Sequence, residues 1–173
     1  MSPKSFAVRI FLADGTVDGV KIVAKSKWPG RAIVIPRRLF AEEKNRAELN
    51  APGVYVLISP LQSDECPTLM IGSADSISAQ LEQHDAETDF WSWAVIFSAK
   101  KDQLNPTHFE YIKTRLIQLA QEAKRAKLFN PVILELPALS AEEKAEAESF
   151  LAHILSVCPL LDLTVFQSLN VKH

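Results

Sequence analysis

The chain has 173 residues, of which 47% are hydrophobic and 23% charged, and its formal net charge is −2. That size suits one domain, or one domain with a small attached lobe, and needs no staple to bury a core. The near-neutral balance excludes a global pull toward nucleic acid, so any such binding needs a local basic patch.

The opening residues, MSPKSFAVRIF, carry no long apolar stretch behind their basic residue, and no later run approaches the length of a membrane span. The expectation is a cytoplasmic protein with no membrane partner. Residues 6–12 form an apolar run with Arg9 in the middle, Asp14-Gly15 is hairpin-turn chemistry, and 19–24 alternates, with Val20, Ile22 and Ala24 opposite Lys21. After the turn Trp28-Pro29-Gly30, residues 32–35 read as a third strand. These three strands predict an antiparallel sheet, either a separate lobe or an extension of a central one. Pro36 then begins a helical stretch through 49 in which Arg37, Arg38, Lys44 and Arg46 alternate with Glu42, Glu43 and Glu48, the pattern of a solvated face.

Residues 53–72 hold the centre of the pattern. Two β-rich runs, 54–59 and 68–71, flank a polar loop with Pro60, Ser63, Asp64, Glu65 and Pro67, which reads as a hairpin. Tyr55 lies inside the first run, where a phenol either packs in the core with its hydroxyl bonded at the edge or lines a cleft and handles protons. A short helix over 76–84, capped by Asp75 or Ser76, turns Ile77 and Leu81 to the core and puts Gln80 and His84 on one face. Residues 90–98 read as an aromatic central strand with Trp91 and Trp93 on a shared face, for core packing or for stacking a base.

Asn105 followed by Pro106 starts a long helix that the pattern carries to Asn130-Pro131. Its apolar stripe is Phe109, Ile112, Leu116, Leu119 and Ala123. Lys113 sits at the inner edge of that stripe, where a charge needs a partner or a cleft. Lys124, Arg125 and Lys127 gather at the far end. Residues 132–139 read as an extended crossing. Ser140 and Glu143 form a capping box for a last helix, with acidic Glu142, Glu143, Glu146 and Glu148 on one side and Phe150, Leu151, Ile154 and Leu155 on the other. Residues 163–169 read as a final strand. Cys66 and Cys158 make no metal motif, and free thiols in a reducing compartment are expected.

Gly53-Val54-Tyr55, then Met70-Ile71-Gly72, the 81–84 segment, the 90–98 strand and the Tyr111-centred helix stand in the order and spacing that resembles the GIY-YIG nuclease family. The runs RIFLADG, GRAIVIPRRLF and PGVYVLI look like a subfamily with a small N-terminal β-region. A phosphodiester nuclease must activate water, hold a metal on the phosphate oxygens and stabilise charge as the bond breaks. The resemblance implies a nucleophile-handling role for Tyr55, a phosphate-orienting one for His84 and a site-closing one for Asn130. Helix capping is the other reading of His84 and Asn130.

The chain departs from the family at three places: Met70 stands where the family has Tyr, Gln80 where it has Arg, and Lys113 where it has the metal-binding Glu. A neutral amide gives no bidentate charged contact, and an ammonium offers no oxygen ligand to a hard cation. Lys113 either holds phosphate in place of the metal or pairs with an acid such as Glu110.

The fold expected is α/β: a small mixed or antiparallel sheet flanked by helices, GIY-YIG-like, with an N-terminal β-rich extension. Its parts are 1–50 (β-rich, with a helix), 51–130 (GIY-YIG-like) and 131–173 (C-terminal helix and extension packing on it). The function expected is binding by a catalytically degenerate nuclease-like protein, with nucleic acid or a protein as partner. Candidate nucleic-acid contacts are Lys113, Lys124, Arg125, Lys127 and Asn130. The alternatives are a divergent endonuclease still using Tyr55, His84 and Glu110 with Mg²⁺ or Mn²⁺, and a protein-interaction or inhibitor module. No metal or small-molecule cofactor is expected unless the chain cuts.

Overall fold

β-branched and aliphatic residues crowd 53–58 and 93–99, and in the computed structural model these segments form the middle of a seven-stranded sheet. The structure describes residues 5–60, 66–99, 104–129 and 135–167. The strands are β1 (Val8–Leu12), β2 (Lys21–Lys25), β3 (Gly30–Pro36), β4 (Gly53–Ile58), β5 (Thr68–Ala74), β6 (Trp93–Ala99) and β7 (Lys127–Leu128). Their order across the sheet is β1-β2-β3-β6-β4-β5-β7, antiparallel throughout except for the parallel pair β5–β7. Four helices complete the mixed α/β fold among the described residues: α1 (Arg37–Glu43), α2 (Ile77–Glu87), α3 (Pro106–Ala123) and α4 (Ala141–Val157). No helix among them is long and apolar enough to cross a membrane.

Alternation along the strands splits the core into two layers. Val54, Val56, Ile58, Val95 and Phe97 face α3 and α4, whereas Ile33, Ile35, Tyr55, Leu57, Ala94 and Ile96 face α1 and α2. Every residue of β4 is buried, as a strand covered on both faces requires. The predicted hairpin is present, with Tyr55 opposite Gly72 in β4–β5; its tip at Ser63, Asp64 and Glu65 lies outside the described residues. The N-terminal strands extend the central sheet, since β3 pairs with β6 from Gly30 opposite Ala99 to Pro36 opposite Trp93.

Two of the three predicted helix caps form; Ser76 stands at the N-cap of α2 but its side chain makes no capping hydrogen bond, and Asp75 does not occupy that position. Asn105 accepts from the Thr107 and His108 amides while His108 Nδ1 accepts from the Asn105 amide, and Ser140 and Glu143 bond reciprocally. Of the acidic residues on α4, Glu148 is drawn onto α3, where Tyr111 Oη donates to it at 2.6 Å and Arg115 Nε at 3.0 Å. His108 Nε2 lies 3.2 Å from Glu146. Both cysteines are free, Cys66 exposed and Cys158 buried.

Several boundaries differ from the sequence reading. The helical stretch from Pro36 stops at Glu43, and a 3₁₀ turn at Ala47–Leu49 swings Leu49 into full burial. α3 ends at Ala123 instead of reaching Asn130, because Lys124 turns left-handed at φ 56°. The chain then runs beside β5, where the Lys127 and Phe129 amides donate to the Pro67 and Leu69 carbonyls. β6 begins only at Trp93, and a bend at Ser92 separates the tryptophans: Trp91 packs with the α1/α2 layer and Trp93 with the α3/α4 layer. Residues 163–167 form turns, not a strand, with Leu163, Val165 and Phe166 buried against the α3/α4 layer; 168 and 169 lie outside the described residues, as do 132–134 of the crossing.

Candidate functional site

Tyr55 is placed by the centre of β4, with Gly72 and Ile96 as its neighbours across the sheet. The ring lies over Gly72, where an added Cβ would fall 2.9 Å from Tyr55 Cε1 and closer still to Cζ and the hydroxyl. The glycine is therefore a space requirement of the phenol. Ile77 and Leu81, both fully buried, seat α2 on this layer and bring His84 over the strand. Tyr55 Oη and His84 Nε2 lie 2.8 Å apart, and the rings are tilted at 56°. Tyr55 is 4% exposed and His84 9%.

Gln80 lies one turn before His84 on α2, near the phenol. Burial pushes Tyr55 up to about 12, against a smaller opposing pull from the Gln80 side chain. Burial lowers His84 as well, against a smaller opposing pull from Glu87. Both directions favour neutral groups at neutral pH. The consistent proton pattern runs from the Tyr55 hydroxyl to an unprotonated His84 Nε2. The His84 ring thus serves the phenol, while its carbonyl receives the Thr88 amide and hydroxyl at the helix end. Met70 lies two residues before Gly72, half-buried against the same layer.

Lys113 belongs to a different cluster. Its Nζ donates to Glu110 Oε1 at 2.6 Å, and Ser73 Oγ donates to Glu110 Oε2 at 2.8 Å. Burial pushes the Glu110 carboxyl up, but the Lys113 and Ser73 bonds outweigh it and hold it below its ordinary value. Ser73 adjoins Gly72 but is in register with Val54, on the α3/α4 side, so this cluster and the Tyr55–His84 pair lie across the sheet from each other. The predicted basic group is split. Lys113 and Lys124 are 11 positions apart, about 16 Å along a helix. Lys124, Arg125 and Lys127 cluster at the other end of α3, where among the described residues they have no ion pair. Asn130 lies outside the described residues. Among the described residues, no group of three or more His, Cys, Asp or Glu side chains could hold a metal ion.

The sequence reading missed a groove of about 660 Å³ on the α1/α2 side, lined by Pro36, Arg37, Arg38, Asp85, Trp91 and Ser92. Its parts come from two stretches far apart in the chain, 36–38 and 85–92, and the only local signal is the Arg37-Arg38 pair after Pro36.

His84 also sets a pH dependence. Its pKa is lower folded than unfolded, so between the unfolded value near 6.5 and the folded one the unfolded chain binds more protons. Stability therefore falls as pH drops through and below about 6.5. In thermal melts the drop between pH 7 and 5 should be smaller in His84→Gln. An equal drop in both proteins would remove His84 as the cause. His153, also lowered by burial and then by Lys25, contributes in the same direction.

Comparison of the chain with protein-family models, characterised proteins and solved structures gives no match.

Proposed function

We propose that this chain is a catalytically degenerate GIY-YIG-nuclease-like protein that binds nucleic acid without cutting it. The observation that carries the reading is the condition of Tyr55: buried, hydrogen-bonded to His84, and pushed up to about 12. A phenol that is to take a proton from water must first lose its own near neutral pH, and this one is held protonated. Its gathering with Gln80 and His84 supports the family resemblance. Gln80 adds no charge to that site, and Lys113 is already neutralised by Glu110.

A specific observation favours a protein partner as the second reading. The outer strand β1 exposes Ile10 at 45% and Phe11 at 58%, an apolar sheet edge onto which another chain can add.

The test is a titration of protein onto supercoiled plasmid, a short duplex and a short single strand, with Mg²⁺ or Mn²⁺ and EDTA controls. The expected result is a mobility shift without nicking, weakening steeply with salt. Metal-dependent nicking that disappears in Tyr55→Phe would restore the divergent endonuclease. Neither shift nor nicking would leave the protein-partner reading.

A further inference from the structure

Arg37 is held in an unusual way. Its guanidinium carbon lies 4.7 Å from the centre of the Trp91 ring, and Trp91 itself is 2% exposed. Three bonds fix the edge of the group: Nε donates to Asp85 Oδ1 at 2.8 Å, Nη2 to the Asp85 carbonyl at 2.8 Å and Nη1 to the Trp91 carbonyl at 3.2 Å. The backbone beneath is pinned too, since the Arg37 amide donates to Ser92 O and the Ser92 amide to Ile58 O, both at 2.8 Å. The Nε–Nη2 edge, the one best shaped for bidentate phosphate binding, is therefore occupied by Asp85. The guanidinium carbon lies over the indole, and the side chain keeps 21% of its surface exposed and lines the groove. A guanidinium held by these bonds is a rigid planar cation at the groove.

Arg38 is different. It is exposed, and its one hydrogen bond among the described residues runs from Nη2 to the Asp18 carbonyl, so its Nε and Nη1 donors have no partner among those residues.

We propose that the groove face of the Arg37 guanidinium is a stacking platform for one unpaired nucleobase, with Arg38 engaging the phosphate beside it. The proposal rests on the nucleic-acid-binding reading above and names the form of the partner: single-stranded, not duplex. Bases splayed from a single strand stack on guanidinium planes and on aromatic rings, whereas bases inside a duplex have no free face. The groove's volume lies within the range usual for small-ligand sites. The buried indole stiffens the platform from below and adds its own attraction for the cation.

The experiment compares, by fluorescence anisotropy, a short single strand of mixed sequence, the same strand in duplex, and an abasic phosphodiester strand of equal length. With the unaltered protein, the base-bearing strand should bind at least about fivefold more tightly than the abasic one. Arg37→Lys keeps the charge but loses the plane. It should abolish that preference while leaving the salt dependence of binding unchanged. Arg38→Ala should keep the preference and reduce the salt slope by about one phosphate contact. Equal affinity for abasic and base-bearing strands, or for duplex and single strand, overturns the platform and leaves nucleic-acid binding standing. Failure to bind any of the three overturns both. A preference that survives in a folded Arg37→Lys also overturns the platform, and Arg37→Gln, which removes the guanidinium at similar length, gives the same test if Arg37→Lys unfolds.

Discussion

Phe150→Ala will lower stability by about 3–5 kcal/mol, the range for truncating a buried aromatic side chain. Phe150 is 2% exposed and stands where three elements meet. It comes from α4, meets Phe109 of α3 edge-on at 5.9 Å, and meets Trp28, just before β3, at 5.5 Å and 62°. It also occupies the space over Gly30, where an added Cβ would fall about 2.5 Å from its ring. Gly30 and Phe150 are thus a matched pair, one backbone-thin because the other is large. Phe150 also lines a surface cleft of about 350 Å³ with Pro29, Leu104 and Glu146. Urea denaturation should show a lower midpoint with an unchanged slope. A loss under about 1 kcal/mol would mean that α4 contributes little to holding the sheet.

Gly72→Ala is the second large effect, and it reports on the candidate site itself. The new methyl group would press on the Tyr55 ring, which is 4% exposed and tied to His84. Overpacking of this kind costs about 1–3 kcal/mol. The cost should nearly vanish in a Tyr55→Ala background, where the ring is absent, so a double-mutant cycle will show coupling of about the same size. Additive losses would mean that the strain is taken up by the backbone of β5 instead. Because the methyl displaces the phenol from His84, the variant should also blunt the loss of stability between pH 7 and 5.

The elements most legible in the sequence were those with local chemistry at their ends. Asn105-Pro106 and the Ser140/Glu143 box gave two helix starts, and the paired β-rich runs around 53–72 gave the hairpin. The ends of elements set by distant partners were not legible. Lys124 carries no mark of a left-handed turn, and α3 stops there because the following amides find carbonyls on β5. The bend at Ser92, between a carbonyl taken by Arg37 and an amide given to Ile58, is what sends Trp91 and Trp93 to opposite layers. The 163–167 segment is apolar enough for a strand, yet its side chains are used against helices.

The candidate site divides in the same manner. Tyr55, Gln80 and His84 were found through a motif order and do lie together. Lys113 was read with two outcomes, and its short reach to Glu110 on its own helix gave the pairing. The Arg37 groove was invisible because two stretches far apart in the chain build it and no spacing rule links them.

The sheet order has a consequence for how the chain is made. β6 is the strand that joins β3 to β4, yet Trp93 lies 57 positions after Pro36. At about 5–20 residues per second of synthesis, the inner edge of β3 waits roughly 3–11 s for its partner. Throughout that interval Ala32, Ile33, Val34 and Ile35, all buried in the finished protein, belong to an open strand beside the already emerged β1–β2 hairpin. Closing the gap brings together residues distant in sequence, which slows folding relative to a sheet built from consecutive hairpins. The nascent chain thus has its greatest exposure to misassembly before residue 99 has been added, and slower folding conditions or chaperone capture at that stage will govern its yield more than the stability of the finished fold.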